Sequence, residues 1–311
     1  MAEMIRPYTD ADLEPTLETL RAALGETPLL RRTPELFAWK HLDNPFGRSI
    51  MLVAEADGVI AGFRAFMRWD LVTPAGEILR CVRAVDTATH PSFMRRGIFR
   101  RLTLAALDTA RDAGIDMVFN TPNPKSGAGY LSMGWREVGY VGAMVRPSMR
   151  MLGRSDTIPA LDKVFEHPIE ATNLDIEDRP ARGLRTPRAA EYLRWRFGHP
   201  SARYARVDRE RSTAVVRPNL RNGRVELVVA DVFGPHPSAA IREAARQARA
   251  GYLAGWFAIG SPERRGAIAA GMVPLPVVKT LRLVANPLRE LPLDVTNLSA
   301  WDFATSDLEL L

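Results

Sequence analysis

Two hydrophobic periods alternate along the first half of the chain, and each change of period marks an element. Met4 to Pro7 alternates as a short strand, and Thr9-Asp10 then caps a helix with Leu13, Leu17, Leu20 and Leu24 at helical spacing. Thr33-Pro34 opens a second helix, PELFAWKHL, which must stop before Asn44-Pro45 because proline removes a backbone donor and disfavours helix in the preceding residue. In that helix Phe37 and Trp39 read as core. Period two returns at Ser49 to Glu55 and Val59 to Trp69, around the hairpin turn Ala56-Asp57-Gly58, and again from Glu77 to Thr89. After His90-Pro91 a long amphipathic helix begins, with Ile98, Leu102, Leu104, Ala105, Leu107 and Ala110 on one face and its end near Gly114. Ile115 to Asn120 is a short strand, a short helix carries Tyr130, and Arg136 to Met149 is a closing strand. The pattern predicts an α/β (α+β) fold with a mostly antiparallel mixed sheet flanked by helices.

The second half reads as a worn copy of the first. Thr186-Pro187 opens a helix ending in Tyr192-Leu193-Arg194-Trp195-Arg196, much as Thr33-Pro34 opens one containing Phe37-Ala38-Trp39-Lys40-His41. Strands follow at Tyr204 to Val207, Ser212 to Val216 and Arg224 to Val232, then a helix from Ser238 to Ala250, a strand from Trp256 to Ile259, and Ala267 to Gly271 echoing Tyr130 to Gly134. The predicted division is a first domain over 1–150, a connector over 151–185, and a second domain over 186–311 whose apolar tail docks. Two unrelated α/β segments sharing common signals are the alternative.

Composition narrows the function classes. With 311 residues and 46% hydrophobic content the chain can bury two ordinary cores. The single Cys81 excludes an internal disulfide, and five scattered histidines offer no metal-ligand spacing, so no metal is expected. No segment has the apolar length of a membrane span, and the charged start lacks the core of a signal peptide; a cytoplasmic protein is expected. The net charge of +6 is spread along the chain and carried almost wholly by arginine, which argues against a nucleic-acid platform. Oligomeric state is left open.

The local basic excess has a more specific use. Arg95, Arg96, Arg100 and Arg101 surround Gly97 at the start of the long helix. A helix N-terminus presents unpaired N–H groups and the positive end of its dipole, and glycine lets a ligand approach the backbone closely. This is a phosphate site in outline; a solvated basic face is the bland alternative.

Downstream, Asn123 precedes Tyr130 by seven residues, and Gly134-Trp135 follows. With the strand, basic turn and helix before it, this spacing resembles the GNAT superfamily of acyl-CoA-dependent N-acyltransferases. The family's loop, Gln/Arg-x-x-Gly-x-Gly/Ala, falls on Met94-Arg95-Arg96-Gly97-Ile98-Phe99; the central glycine is kept, and Met94 and Phe99 depart from the pattern. The resemblance implies two GNAT-like domains, the second degenerate, since Pro235-His236-Pro237 replaces the basic turn and Ala267 replaces Tyr130. It implies acetyl-CoA or another acyl-CoA as cosubstrate, its pyrophosphate cradled by Arg95, Arg96, Gly97, Ile98, Phe99, Arg100 and Arg101, and its thioester carbonyl polarised by backbone N–H groups along Ala84, Val85, Asp86 and Thr87. Tyr130 is implied as the acid that protonates the leaving thiolate, with Asn123 orienting the pantetheine arm or a water.

Asp86 has two readings, a general base on the acceptor face or a carboxylate paired with Arg83 or an arginine of the turn; Asp116 is a weaker candidate base. The acceptor implied is a small-molecule or peptide amine, and no loop around Leu24 to Thr33 or Asn44 to Ser49 carries a signature for it. A terminal carboxylate reaching the site is a further option. A non-catalytic acyl-CoA sensor and a scaffold protein remain the competing classes.

Overall fold

The computed structural model describes residues 3–26, 31–148, 176, 178–199, 203–248, 250–275 and 281–308. The chain divides into two α+β units, one made of Met1–Leu71, Ile78–Gly139 and Arg282–Thr296, the other of Val72–Glu77, Tyr140–Leu281 and Asn297–Leu311.

The elements in chain order are β1 (Met4–Pro7), α1 (Leu13–Leu24), α2 (Pro34–His41), β2 (Ile50–Ala56), β3 (Val59–Arg68), a two-stranded hairpin of β4 (Leu71–Val72) and β5 (Ile78–Leu79), β6 (Cys81–Thr89), α3 (Ile98–Asp112), β7 (Met117–Asn120), α4 (Pro124–Leu131), β8 (Arg136–Val141) and β9 (Met144–Pro147). Then come α5 (Ala190–Gly198), β10 (Ala205–Arg209), β11 (Ser212–Arg221), β12 (Arg224–Phe233), α6 (Pro237–Ala248), β13 (Tyr252–Gly255), α7 (Pro262–Ala269), β14 (Val273–Pro274), β15 (Leu281–Pro287) and α8 (Thr305–Leu308).

The first sheet has the order β1-β2-β3-β6-β7-β15-β8. Alternation sends β2 side chains to two cores: Leu52 and Ala54 pack with Ile98, Leu102 and Tyr130 on the α3 and α4 side, while Met51 and Val53 pack with Leu17, Leu20 and Phe37 on the α1 and α2 side. Phe37 is therefore core, as its helical position predicts. α1 is tied to the sheet by the Thr19 hydroxyl, which donates to the Ile60 carbonyl at 2.7 Å.

The second sheet has the order β10-β11-β12-β13-β9-β14. Here the predicted boundary near residue 150 meets a correction. The expected single strand from Arg136 to Met149 is two strands, broken after Val141, and β9 pairs antiparallel with β13 in the second sheet (Tyr252↔Pro147 to Gly255↔Met144). Reciprocally, β15 pairs antiparallel with β7 of the first sheet (Val284↔Asn120 to Pro287↔Met117). Each half of the chain thus contributes its last strand to the other half's sheet. A division at one point in the sequence misses this because strand pairing is set by neighbours far away in the chain.

The predicted strand at Trp256 to Ile259 lies earlier, at Tyr252–Gly255, and β15 had no sequence assignment at all. Most of the predicted connector, 151–185, lies outside the described residues.

Candidate active site

The site begins with a defect in β6. Against β3 its register runs from Phe63↔Ala88 to Ala65↔Val85, so β6 carries one extra residue, and Asp86 takes a left-handed φ of 43° there. Such a bulge turns backbone groups out of the ladder. On its other side β6 pairs parallel with β7 only from Cys81↔Met117 to Arg83↔Phe119. Past Arg83 the two strands part. The backbone of Ala84, Val85, Asp86 and Thr87 therefore presents an unpaired edge to the gap, of the kind an extended ligand can join like an added strand.

At the mouth of this gap Gly97 caps α3 with φ 75° and ψ 9°, a conformation that suits glycine. By helix geometry the N–H groups of Ile98, Phe99 and Arg100 have no intrahelical acceptor. Ile98 itself is buried, packed with Leu102 against the sheet. Arg95 and Arg100 are exposed, and the Arg96 guanidinium lies over the Phe93 ring, 4.9 Å from its centroid. Arg101 departs from expectation: it donates to the Arg96 carbonyl and pairs with Glu3 at 2.6 Å, which commits it to holding the loop. The Phe99 ring packs on Gly129, where a Cβ would come within 2.9 Å of it, and meets Tyr130 edge-on at 5.4 Å. A glycine on α4 thus accommodates the departure at position 99.

Asn123 caps α4, its Oδ1 accepting from the N–H groups of Lys125 and Ser126. That leaves its Nδ2 group as the donor for any ligand. Seven residues on, Tyr130 is buried between Phe99 and Trp135. Its hydroxyl accepts from Arg64 Nη1 at 2.7 Å. The same nitrogen donates to Thr87 Oγ1 in the bulge, and Nη2 donates to Thr103 Oγ1 of α3 at 3.0 Å. Sequence reasoning missed Arg64; its signal is a charge in the middle of the apolar run of β3, VIAGFRAFM, before Arg68 closes the strand.

Asp86 is a paired carboxylate, as its second reading has it, but with other partners. Its carboxylate lies 2.7 Å from Lys40 Nζ, 3.1 Å from His41 Nε2 and 3.3 Å from Arg32 Nη1, so its partners come from α2 and the segment before it, not from Arg83 or the turn. Burial alone would raise this carboxyl, but Lys40 and His41 outweigh it and hold it well below the usual carboxylate range. A carboxylate held ionised in this way takes up a proton poorly. Burial likewise keeps His41 below its ordinary value, against the opposing pull of Asp86. The ring is neutral, with Nε2–H donating to Asp86 and Nδ1 accepting from Ser49 Oγ at 3.0 Å. Asp116 serves elsewhere, accepting from the Arg80 N–H and pairing with Arg289.

The second sheet repeats the gap and fills it. β12 and β13 pair parallel only as far as Val229↔Gly255, and β12 also carries a register shift against β11. Beyond that point Ala258 N–H donates to the Phe303 carbonyl, Trp256 N–H donates to Thr305 Oγ1 at 2.7 Å, and Ser306 Oγ donates to Asp231 at 2.8 Å. Residues 303–306 therefore fill the space beyond the end of the β12–β13 ladder, and Ala267, in the same core, has no hydroxyl to offer. Arg188 and Thr186 lock Asp307 behind them. The chain terminus suggested as a base, 309–311, lies outside the described residues. Among the described residues no group of histidine, cysteine and carboxylate side chains could hold a metal, and no helix is long and apolar enough to cross a membrane.

Residues 4–138 match the family model of the acetyltransferase (GNAT) domain. This part of the chain is a GNAT acetyltransferase domain. A search of curated proteins returned no match. Among solved structures, a GCN5-related N-acetyltransferase from Anabaena variabilis is similar at a TM-score of 0.60 and 11% identity, over 91% of this chain and 72% of that one. A second from Kribbella flavida gives 0.58 and 12%, over 92% and 71%. Eis1 from Mycobacterium abscessus gives 0.53 and 15%, over 91% and 73%. At these identities the likeness is one of fold, and it spans both sheets. The GNAT domain and the second, GNAT-like sheet thus belong to one shared architecture.

Proposed function

We propose that the protein transfers an acetyl group from acetyl-CoA to a small-molecule or peptide amine by direct attack in a ternary complex. The observation that carries this reading is the backbone edge of β6 left unpaired by β7 past Arg83, with Tyr130 linked to its bulge through Arg64 and the Gly97-capped start of α3 following it in the chain.

In this reading the pyrophosphate sits on the N–H groups of Gly97, Ile98 and Phe99, with Arg95, Arg96 and Arg100 as charge partners. The pantetheine arm lies along β6, and Asn123 Nδ2 is its side-chain donor. Backbone N–H groups at the Asp86–Thr87 bulge meet the oxyanion as the amine attacks the thioester carbon. When the C–S bond breaks, the electron pair goes to sulfur, which takes the Tyr130 hydroxyl proton and leaves as the CoA thiol. Two cations, Lys40 and Arg32, flank the single carboxylate of Asp86, and this net positive charge favours an amine that enters as the free base. The excess proton on nitrogen passes to water.

A sensor that binds acyl-CoA without turning it over is the second reading, favoured by Phe99 in place of the family's small residue. Isothermal titration of acetyl-CoA, followed by free-thiol release with a panel of primary amines, separates the two. Binding with release supports transfer, binding without release across the panel supports the sensor, and no binding overturns both.

A further inference from the structure

Arg64 is fully buried, and its described partners include no carboxylate. Its guanidinium donates to three neutral hydroxyls, those of Thr87, Tyr130 and Thr103, and lies over the rings of Phe66, Phe99 and Tyr130 at 5.0, 5.6 and 5.2 Å. Its Nε finds no acceptor. Arg188, also buried, is matched by Asp231 and Asp307. Burying a cation without an anion is costly, because its lost hydration is not offset by an opposite charge. A charge kept there at that cost is useful if negative charge develops beside it.

The hydrogen-bond directions say where. The Thr103 hydroxyl donates to the Phe99 carbonyl, so towards Arg64 it is an acceptor. Tyr130 Oη also accepts from Arg64, and among the described residues its own hydrogen has no acceptor. One lone pair of the phenol is thus occupied by a cation while its proton is left for something the protein does not supply. Arg64 also joins the three parts of the cleft, the β6 bulge through Thr87, α3 through Thr103 and α4 through Tyr130.

We propose that Arg64 is the positioning residue of the transfer: it turns the Tyr130 hydroxyl hydrogen towards the thioester sulfur and neutralises the phenolate left when that proton departs. The inference rests on Tyr130 as the acid. In the step, the C–S electron pair passes to sulfur, sulfur takes the Tyr130 proton, and the phenolate stays beside Arg64 until water reprotonates it.

The test uses the full chain, acetyl-CoA, and whichever primary amine of a panel containing spermidine, tyramine and glycinamide the wild type acetylates fastest. Arg64→Met should lower kcat about 100-fold while KM for acetyl-CoA stays within about twofold, the pattern of an interaction made only in the transition state. Arg64→Met/Tyr130→Phe should be no slower than Tyr130→Phe alone, because the two residues act as a unit. Guanidinium ion should restore part of the turnover of Arg64→Ala and none of Tyr130→Phe. Arg64→Lys keeps the charge with fewer donors and should retain about ten times the kcat of Arg64→Met, so a folding failure of one variant leaves the question decidable. A slow Tyr130→Phe beside an Arg64→Met at wild-type speed overturns this proposal alone, as do additive losses or a purely KM effect. A Tyr130→Phe at wild-type speed overturns the acid on which it rests, and a wild type that acetylates no amine overturns both.

Discussion

Gly97 does two things at once: its left-handed backbone starts α3, and its missing side chain leaves the loop open at the point where a Cβ would already come within 3.1 Å of Arg101 Nη1. Gly97→Glu adds strain, bulk and a negative charge there, and affinity for acetyl-CoA measured by titration calorimetry should fall at least about tenfold, or about 1.4 kcal/mol. An unchanged affinity would remove the loop from the site. His41 supports a second test. Because burial holds the folded ring below the ordinary value of 6.5, the unfolded chain binds more protons as pH falls through that value, so stability is lost on the acid side of it. His199 shifts the same way, by burial. The melting temperature should therefore drop between about pH 7 and about pH 5, and His41→Asn should flatten part of that slope. The helix start at Gly97, the helix start at Asn123 and the short helix carrying Tyr130 were legible in the sequence because they depend on local spacing. Arg64 and the Lys40–Asp86–His41 cluster were not, since each is assembled from elements that meet only in the folded sheet.

At the scale of elements, the seat of α3 decides the geometry of the loop at Gly97. Gly62 on β3 faces that helix, and a Cβ there would lie 2.6 Å from Ile98 Cγ2 and 3.0 Å from Leu102 Cδ1. Gly62→Ala should cost about 1–3 kcal/mol in urea unfolding, as overpacked cores do, and weaken acetyl-CoA binding by lifting the first turn of α3. Full stability with full affinity would mean the helix can shift without consequence. Most elements could be read from period and punctuation: the Thr33-Pro34 start of α2, the Asp57-Gly58 turn and the apolar face of α3 each act within a few residues. The bulge at Asp86 and the parting of β6 from β7 had no such signal, because a register defect belongs to a pair of strands. The same limit hid the place of residues 303–306, in a tail whose other apolar residues, such as Leu288 and Trp301, predicted docking without saying against what.

For the whole molecule, the exchanged strands make the two sheets mutually dependent. A fragment of residues 1–150 keeps the loop, Tyr130 and Arg64 but lacks β15, so β7 and β8 lose the strand that joins them, and β9 loses its sheet. Expressed alone, it should show poor amide dispersion by NMR and aggregate through its open edges. A soluble fragment with acetyl-CoA affinity equal to that of the full chain would argue that β15 is dispensable. The repeat itself was visible in the sequence, but the exchange was not, since both arrangements satisfy the same local pattern.

The exchange also sets an order of events during synthesis. Asn120 leaves the ribosome long before Val284, its neighbour in the finished sheet, so the half of the protein that holds the GNAT domain is made first and completed last. Until then the acetyltransferase half waits with an unfilled slot. Translation that stops early thus releases an incomplete chain with raw strand edges, and the first sheet is whole only in molecules whose final strand has arrived.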